Sequence, residues 1–260
     1  MKNVENRILG VIVVYDQLRS PFAVACFKDI LSKSFENYSL RIVTNNPATA
    51  GDISGSNDCG EFSGWADAVS EKDYEDYDIC IFANDTFCTK RPFDKDMANN
   101  FVNKILLASS ESSDFLIGEL NWHINYKLLL KREKCILQWV RTSIFALSTN
   151  ALRKVGGVSL TKEEISGMVE TDCNSNFVLS EKNPVVYRKR IEDWLRPEIE
   201  SEGWSGAQTA SKSTLFLKAK CVLQELNLTQ RCLKADVNIY PLHKMRNRDL
   251  LLKYLYKIQN

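Results

Sequence analysis

The stretch "DYDICIFANDTF", residues 76–87, carries an apolar run from Ile79 to Ala83 that stops on Asn84, Asp85 and Thr86 before returning to Phe87. A continuous apolar run, rather than an alternating one, is what a strand buried on both faces of a parallel sheet requires. Its polar end then falls at a strand's carboxyl end, where ligands of open α/β sheets bind. Working outward, "ILGVIVVY" (8–15) is another such strand, and "YSLRIVT" (38–44), closed by the turn-forming "NNP", is a further one. Ser20 and Pro21 supply an N-cap and a first-turn proline for "FAVACFKDILSKSF", with Phe22, Ala25, Cys26, Ile30 and Leu31 as its apolar face. A glycine-containing loop and a short helix at "EFSGWADAVS" (61–70) precede the third strand, the opening stretch. This β-α-β-α-β order predicts a doubly wound α/β sheet with Tyr15-Asp16, Thr44-Asn45-Asn46 and Asn84-Asp85-Thr86 converging on one crevice.

Beyond residue 100 the pattern loosens. "DFLIGELNW" (114–122) and "CILQWVRTSIFALS" (135–148) predict strands, and "TNALRKVGG" (149–157) a short capped helix ending in two glycines. Residues 158–211 are polar and broken by "NP", "RP" and "GW", which predicts a helical insertion. A long helix over 213–235 leads to a short strand, "DVNIYPL", and to a basic amphipathic tail, "KMRNRDLLLKYLYKIQN". The expected organisation is one domain over 1–260, with a half over 1–110 and a second over 111–260 that holds the insertion.

With 44% hydrophobic residues the chain can build a full core, and a formal net charge of +1 gives no overall pull toward nucleic acid. The longest apolar run, Ile8 to Val14, is too short to span a bilayer, and "MKNVENR" lacks a signal peptide's apolar segment. Eight cysteines without a C-x-x-C pair argue against a zinc ribbon and, with no export signal, for reduced thiols in the cytoplasm.

Six segments in order resemble the GT-A glycosyltransferases, specifically the large inverting family that builds bacterial polysaccharides of the rhamnan and O-antigen type. They are "GVIVVYD", "RIVTNNP", "SNDCGEFSGWADAV", "YDICIFANDTF", "FALSTNALRKVGGVS" and "QELNLTQRCLKADVNIYPLH". Two places depart from the family pattern. Its Asp-x-Asp metal motif is here Asn84-Asp85-Thr86, and its late Glu-Asp pair is Glu225-Leu226. The resemblance implies a nucleotide-diphosphate sugar donor, UDP- or dTDP-linked, an oligosaccharide or lipid-linked glycan acceptor, and Mg²⁺ or Mn²⁺ on the leaving diphosphate.

The residues carry this chemistry as follows. Asp85 and His243 are the expected metal ligands; alternatively Asp85 caps a turn and His243 is an exposed residue of a basic tail. Tyr15 can stack on a uracil or thymine ring, and Asp16, Asn45, Asn57 and Asn84 can meet the rest of the donor. Inversion needs a general base: Glu225 is the first candidate, expected at the start of the late helix. Glu119, expected after the strand "FLIG", is the second, and Glu170 and Asp172 come third. Trp65 is expected in the core and His123 as a packed histidine, while Trp122, Trp139, Trp194 and Trp204 could meet a sugar acceptor or fill the core. The tail could lie on an anionic membrane surface or dock on the domain. The rival to an enzyme is a non-catalytic GT-A-fold subunit that binds nucleotide or glycan.

Overall fold

The computed structural model describes residues 6–70, 73–89, 93–111, 113–125, 128, 135–198, 203–243, 252–254 and 256. Its central sheet has seven strands in the order β3-β2-β1-β4-β6-β5-β9. These are β1 (Ile8–Val14), β2 (Tyr38–Thr44), β3 (Ile53–Ser54), β4 (Ile79–Asn84), β5 (Phe115–Ile124), β6 (Ile136–Ser148) and β9 (Asn238–Pro241). β1 runs parallel to β2 and β4, β2 to β3, and β5 to β9, while β6 is antiparallel to β4. The opening stretch is thus the fourth strand rather than the third. The two-residue β3 is too short to leave a period in the sequence.

Helices cover both faces of β1, which is why all its residues are buried. On one face lies α1 (Ser20–Ser34), burying Ala23, Phe27 and Leu31 against Ile8, Ile12 and Val14. Gly10 lets that helix close in, since a Cβ there would stand 2.5 Å from Leu31 Cδ1. Burying a Phe or Leu side chain stabilises by about 1.5–3 kcal/mol, so this face outweighs the weak preferences of the helix itself. The buried face differs from the expected one: Phe22 is 58% exposed and Ala25 is exposed, because Ala23, Phe27 and Leu31 form the i, i+4 row that meets the sheet. Nor does Ser20 cap the helix by its side chain; its hydroxyl donates to the Asp16 carbonyl. On the other face α2 (Glu61–Ala68) buries Trp65, whose ring meets Phe62, Phe82 and Phe145 edge-on and whose Nε1–H donates to the Ala83 carbonyl.

A helix that the sequence reading lacks, α3 (Lys95–Ser110), starts at Asp94, whose carboxylate accepts the Met97 N–H. Asn99, Asn100 and Asn103 lower its intrinsic propensity, but Phe101, Val102, Ile105 and Ala108 give it one buried stripe. After β6, Ser148 caps α4 (Thr149–Lys154) as its sequence predicts.

The expected helical insertion is mixed. It holds α5 (Lys162–Ser166), an antiparallel hairpin of β7 (Val169–Thr171) and β8 (Phe177–Leu179), and α6 (Val185–Leu195). The hairpin forms because the Asp172 carboxylate gathers the N–H groups of Asn174 and Asn176, and Ser175 takes φ 62°. Then α7 (Lys212–Lys234) leads to β9. Of the tail, Leu252 to Tyr254 and Tyr256 are helical with Leu252 buried, and the rest lies outside the described residues. Among the described residues no helix is long and apolar enough to cross a membrane.

Contacts divide the chain into two compact units, 1–120 with 140–159 and 228–243, and 121–139 with 160–227 and 244–260. This division runs elsewhere than the expected boundary at 110/111.

Candidate functional site

In the first unit, β1, β2 and β4 end side by side, with Val14 in register with Thr44 and Val13 with Asn84. Two bonds carry this alignment past the strand ends: Asn45 N–H donates to the Val14 carbonyl (3.0 Å) and Asp85 N–H to that of Val13 (3.1 Å). Tyr15, Asn45 and Asp85 therefore share one edge of the sheet.

Asp85 is 6% exposed, and its Oδ2 accepts the N–H of Tyr15 (2.8 Å) and of Asp16 (2.7 Å). The strand ends on a carboxylate because that carboxylate closes the loop following β1. The sequence alternative has Asp85 capping the following turn with Asn84 and Thr86 satisfying backbone groups; Asn84 does so, its Oδ1 accepting from Thr86 N–H (3.0 Å) and Oγ1 (2.6 Å), but the Asp85 carboxylate serves the loop after β1 instead. Asn46 Nδ2 donates to the Tyr15 carbonyl (2.8 Å). Tyr15 is held on both sides of its backbone, and the residue is left 57% exposed.

Asp16 is spent on α1. Its Oδ1 accepts the N–H of Leu18 and Arg19, and its Oδ2 meets the Arg19 guanidinium at 2.5 Å. The Arg19 N–H above all, with the Leu18 N–H and the guanidinium, holds its carboxyl below the usual value against an opposing desolvation effect.

Asn45 is 8% exposed and uses its Nδ2 on the Gly60 carbonyl (2.8 Å) and on Asn57 Oδ1 (3.3 Å). Both partners accept, so the position needs a donor. That is the physical reason for an amide at this position. Its Oδ1 is buried without a partner in a niche made by Gly55 and Gly64, where a Cβ would stand 2.0 Å and 3.0 Å away. Asn57 itself takes φ 55° to complete this loop.

The donor set does not fit a resident Mg²⁺ or Mn²⁺. One carboxylate is available, and one of its oxygens already takes two N–H groups. His243, exposed after β9, has no described contact with it. Such ions need several oxygen ligands, and among the described residues no group of three or more His, Cys, Asp or Glu could hold one.

The two candidate bases are placed otherwise than expected. Glu119 lies inside β5 rather than after it, because that strand continues to Ile124, and it pairs with Arg141 at 3.1 Å. Glu225 lies in the middle of α7, not at its start. The helix already begins at Lys212, where Ser211 Oγ accepts the Thr214 N–H, and no breaker follows. Asp172 is a turn former whose carboxyl the Asn176 N–H and side chain hold below the usual value; Glu170 is exposed.

In the second unit Glu225 belongs to a charged cluster that sequence reasoning missed. The Arg190 guanidinium lies over the Trp139 ring, 5.4 Å from its centroid, and faces Glu225 and Asp193. Burial pulls Arg190 below the usual guanidinium value, against those two carboxylates. Burial, and then Arg190, likewise pull His123 down, and its Nε2 is buried without a hydrogen bond. His123 and Trp139 had been noted one by one, but α6 had given no sign that Arg190 would join them.

The fold and this edge define an α/β protein of Rossmann-like class. Comparison with protein-family models, curated proteins and solved structures returns no match.

Proposed function

We propose that this chain is a GT-A-type glycosyltransferase, moving a sugar from a nucleotide-diphosphate donor to a bacterial surface glycan, lipid-linked and of O-antigen or capsule type, with inversion. One observation carries this reading: an exposed Tyr15 ring on a loop pinned by Asp85 and Asn46, at the shared carboxyl edge of β1, β2 and β4. Crevices at this edge are where doubly wound sheets bind nucleotides, and a phenol on a pinned backbone gives a uracil or thymine ring a face to stack on. The strand order, with β6 antiparallel between β4 and β5, supports the GT-A assignment.

Direct displacement requires a base for the acceptor hydroxyl's proton, and Glu225 takes that role in this reading, with Glu119 as the rival. The experiment is turnover of a panel of nucleotide sugars, read as nucleoside diphosphate released, in wild type and in two variants. Glu225→Gln should lower turnover by about 10²–10⁴-fold and leave donor affinity unchanged, while Glu119→Gln keeps activity. The reverse result moves the base to Glu119.

A second reading, a non-catalytic subunit that binds nucleotide or glycan, is favoured by one observation. Asp85 spends an oxygen on backbone rather than offering a full carboxylate. Binding without diphosphate release from any donor would select it.

A further inference from the structure

We propose that Trp194 and Trp204, in the second unit, form a platform for a pyranose ring of a glycan. The inference rests on the glycosyltransferase reading only for the source of that glycan. Trp194 stands in the last turn of α6, and Trp204 returns to it after a short segment, its N–H donating to the Trp194 carbonyl at 2.7 Å. Two glycines make the return possible. A Cβ on Gly203 would stand 2.4 Å from Pro197, and one on Gly206 would stand 2.8 Å from Cζ2 of the Trp204 ring. The Trp204 ring thus lies close against Gly206.

The geometry of the pair differs from that of the core aromatics. Around Trp65, which has no exposure, rings meet edge-on at 77° and 80°, an arrangement that fills space. Trp194 and Trp204 are both half-buried, with centroids 6.3 Å apart and planes tilted by 41°. This tilt leaves a shallow open wedge. A flat base wants a parallel face, whereas a puckered pyranose presents an apolar patch of C–H bonds with hydroxyls around its rim. The rim of the wedge can meet those hydroxyls. Lys218 Nζ lies over the Trp204 ring, 5.9 Å from its centroid, where a sugar hydroxyl could meet it, Ser205 and Gln208 are exposed on the same segment as Trp204, and Asp193 is exposed beside Trp194. Aromatic faces with a few polar groups around them are the usual makeup of a small-molecule site.

The test uses the full chain labelled with ¹⁵N at its tryptophan indoles, the signals being assigned by single Trp→Phe variants. Soluble neutral gluco-, manno- and rhamno-oligosaccharides are the probes, and UDP is titrated into parallel samples. The expected result is that at least one oligosaccharide moves the Trp194 and Trp204 signals while that of buried Trp65 stays. Trp204→Ala should then weaken binding about tenfold. Trp194→Ala gives the same reading if Trp204→Ala does not fold. The platform is overturned if none of the three oligosaccharides moves either signal, or if the folded alanine variant binds like wild type. UDP binding without saccharide binding sinks the platform alone; saccharide binding without nucleotide binding sinks the enzyme reading and leaves the platform.

Discussion

At the carboxyl edge of the first unit, polar side chains are bound to backbone: Asp85 to two N–H groups, Asn46 to a carbonyl, Asn45 to another. In the second unit, around Arg190, charged side chains face each other across α6 and α7 with an indole beneath. The first arrangement fixes loop geometry and leaves one aromatic ring to the solvent. The second gathers carboxylates around a largely buried guanidinium. The difference separates a clamped loop edge from electrostatics that respond to protons.

The largest effects should come from the first unit's carboxyl edge. Asp85→Ala leaves two part-buried N–H groups without their acceptor and should cost about 2 kcal/mol in urea unfolding, whereas Asp85→Asn, which still accepts, should cost about 1 kcal/mol. Equal losses for the two variants would break the contrast, because the carboxylate would then not be acting as a loop clamp. Next, Asn45→Asp should cost about 2 kcal/mol, since a carboxylate would face the Gly60 carbonyl and Asn57 Oδ1. Acid should restore part of that loss, because a protonated carboxyl can donate again. An Asn45→Asp variant as stable as wild type at neutral pH would show that the niche tolerates an acceptor.

The smallest effect sharpens the other half of the comparison. Burial lowers the pKa of His123, so the folded state binds its proton less tightly than the unfolded chain. Stability should therefore fall as pH drops below the unfolded value of about 6.5, and His123→Gln should flatten that slope. Arg190 adds to this effect and Asp193 opposes it. Urea midpoints at about pH 7.5 and about pH 5.5 measure it, and parallel slopes in wild type and variant would contradict it.

Much of the first unit was legible in the sequence because its signals are local. Continuous apolar runs marked β1 and β4, and their polar ends marked the edge where Tyr15, Asn45 and Asp85 meet. What Asp85 does there was not legible, since its partners lie 69 and 70 residues away and a carboxylate reads alike as ligand or clamp. The α1 face was misjudged because Phe22 is as apolar as Phe27, and only the sheet decides which is buried. The hairpin at 169–179 escaped notice since three-residue strands show hardly one period. In the second unit, Arg190, Trp139 and Glu225 come from separate elements, and nothing in the spacing joins them.

Nucleotide binding at Tyr15 tests the central claim most directly. Titrating UDP and dTDP into wild type, Tyr15→Phe and Tyr15→Ala by calorimetry separates the ring from its hydroxyl. The account predicts that one of the two nucleotides binds wild type and Tyr15→Phe alike and binds Tyr15→Ala about tenfold more weakly. Binding that is equal in all three proteins, or absent from wild type for both nucleotides, would contradict it.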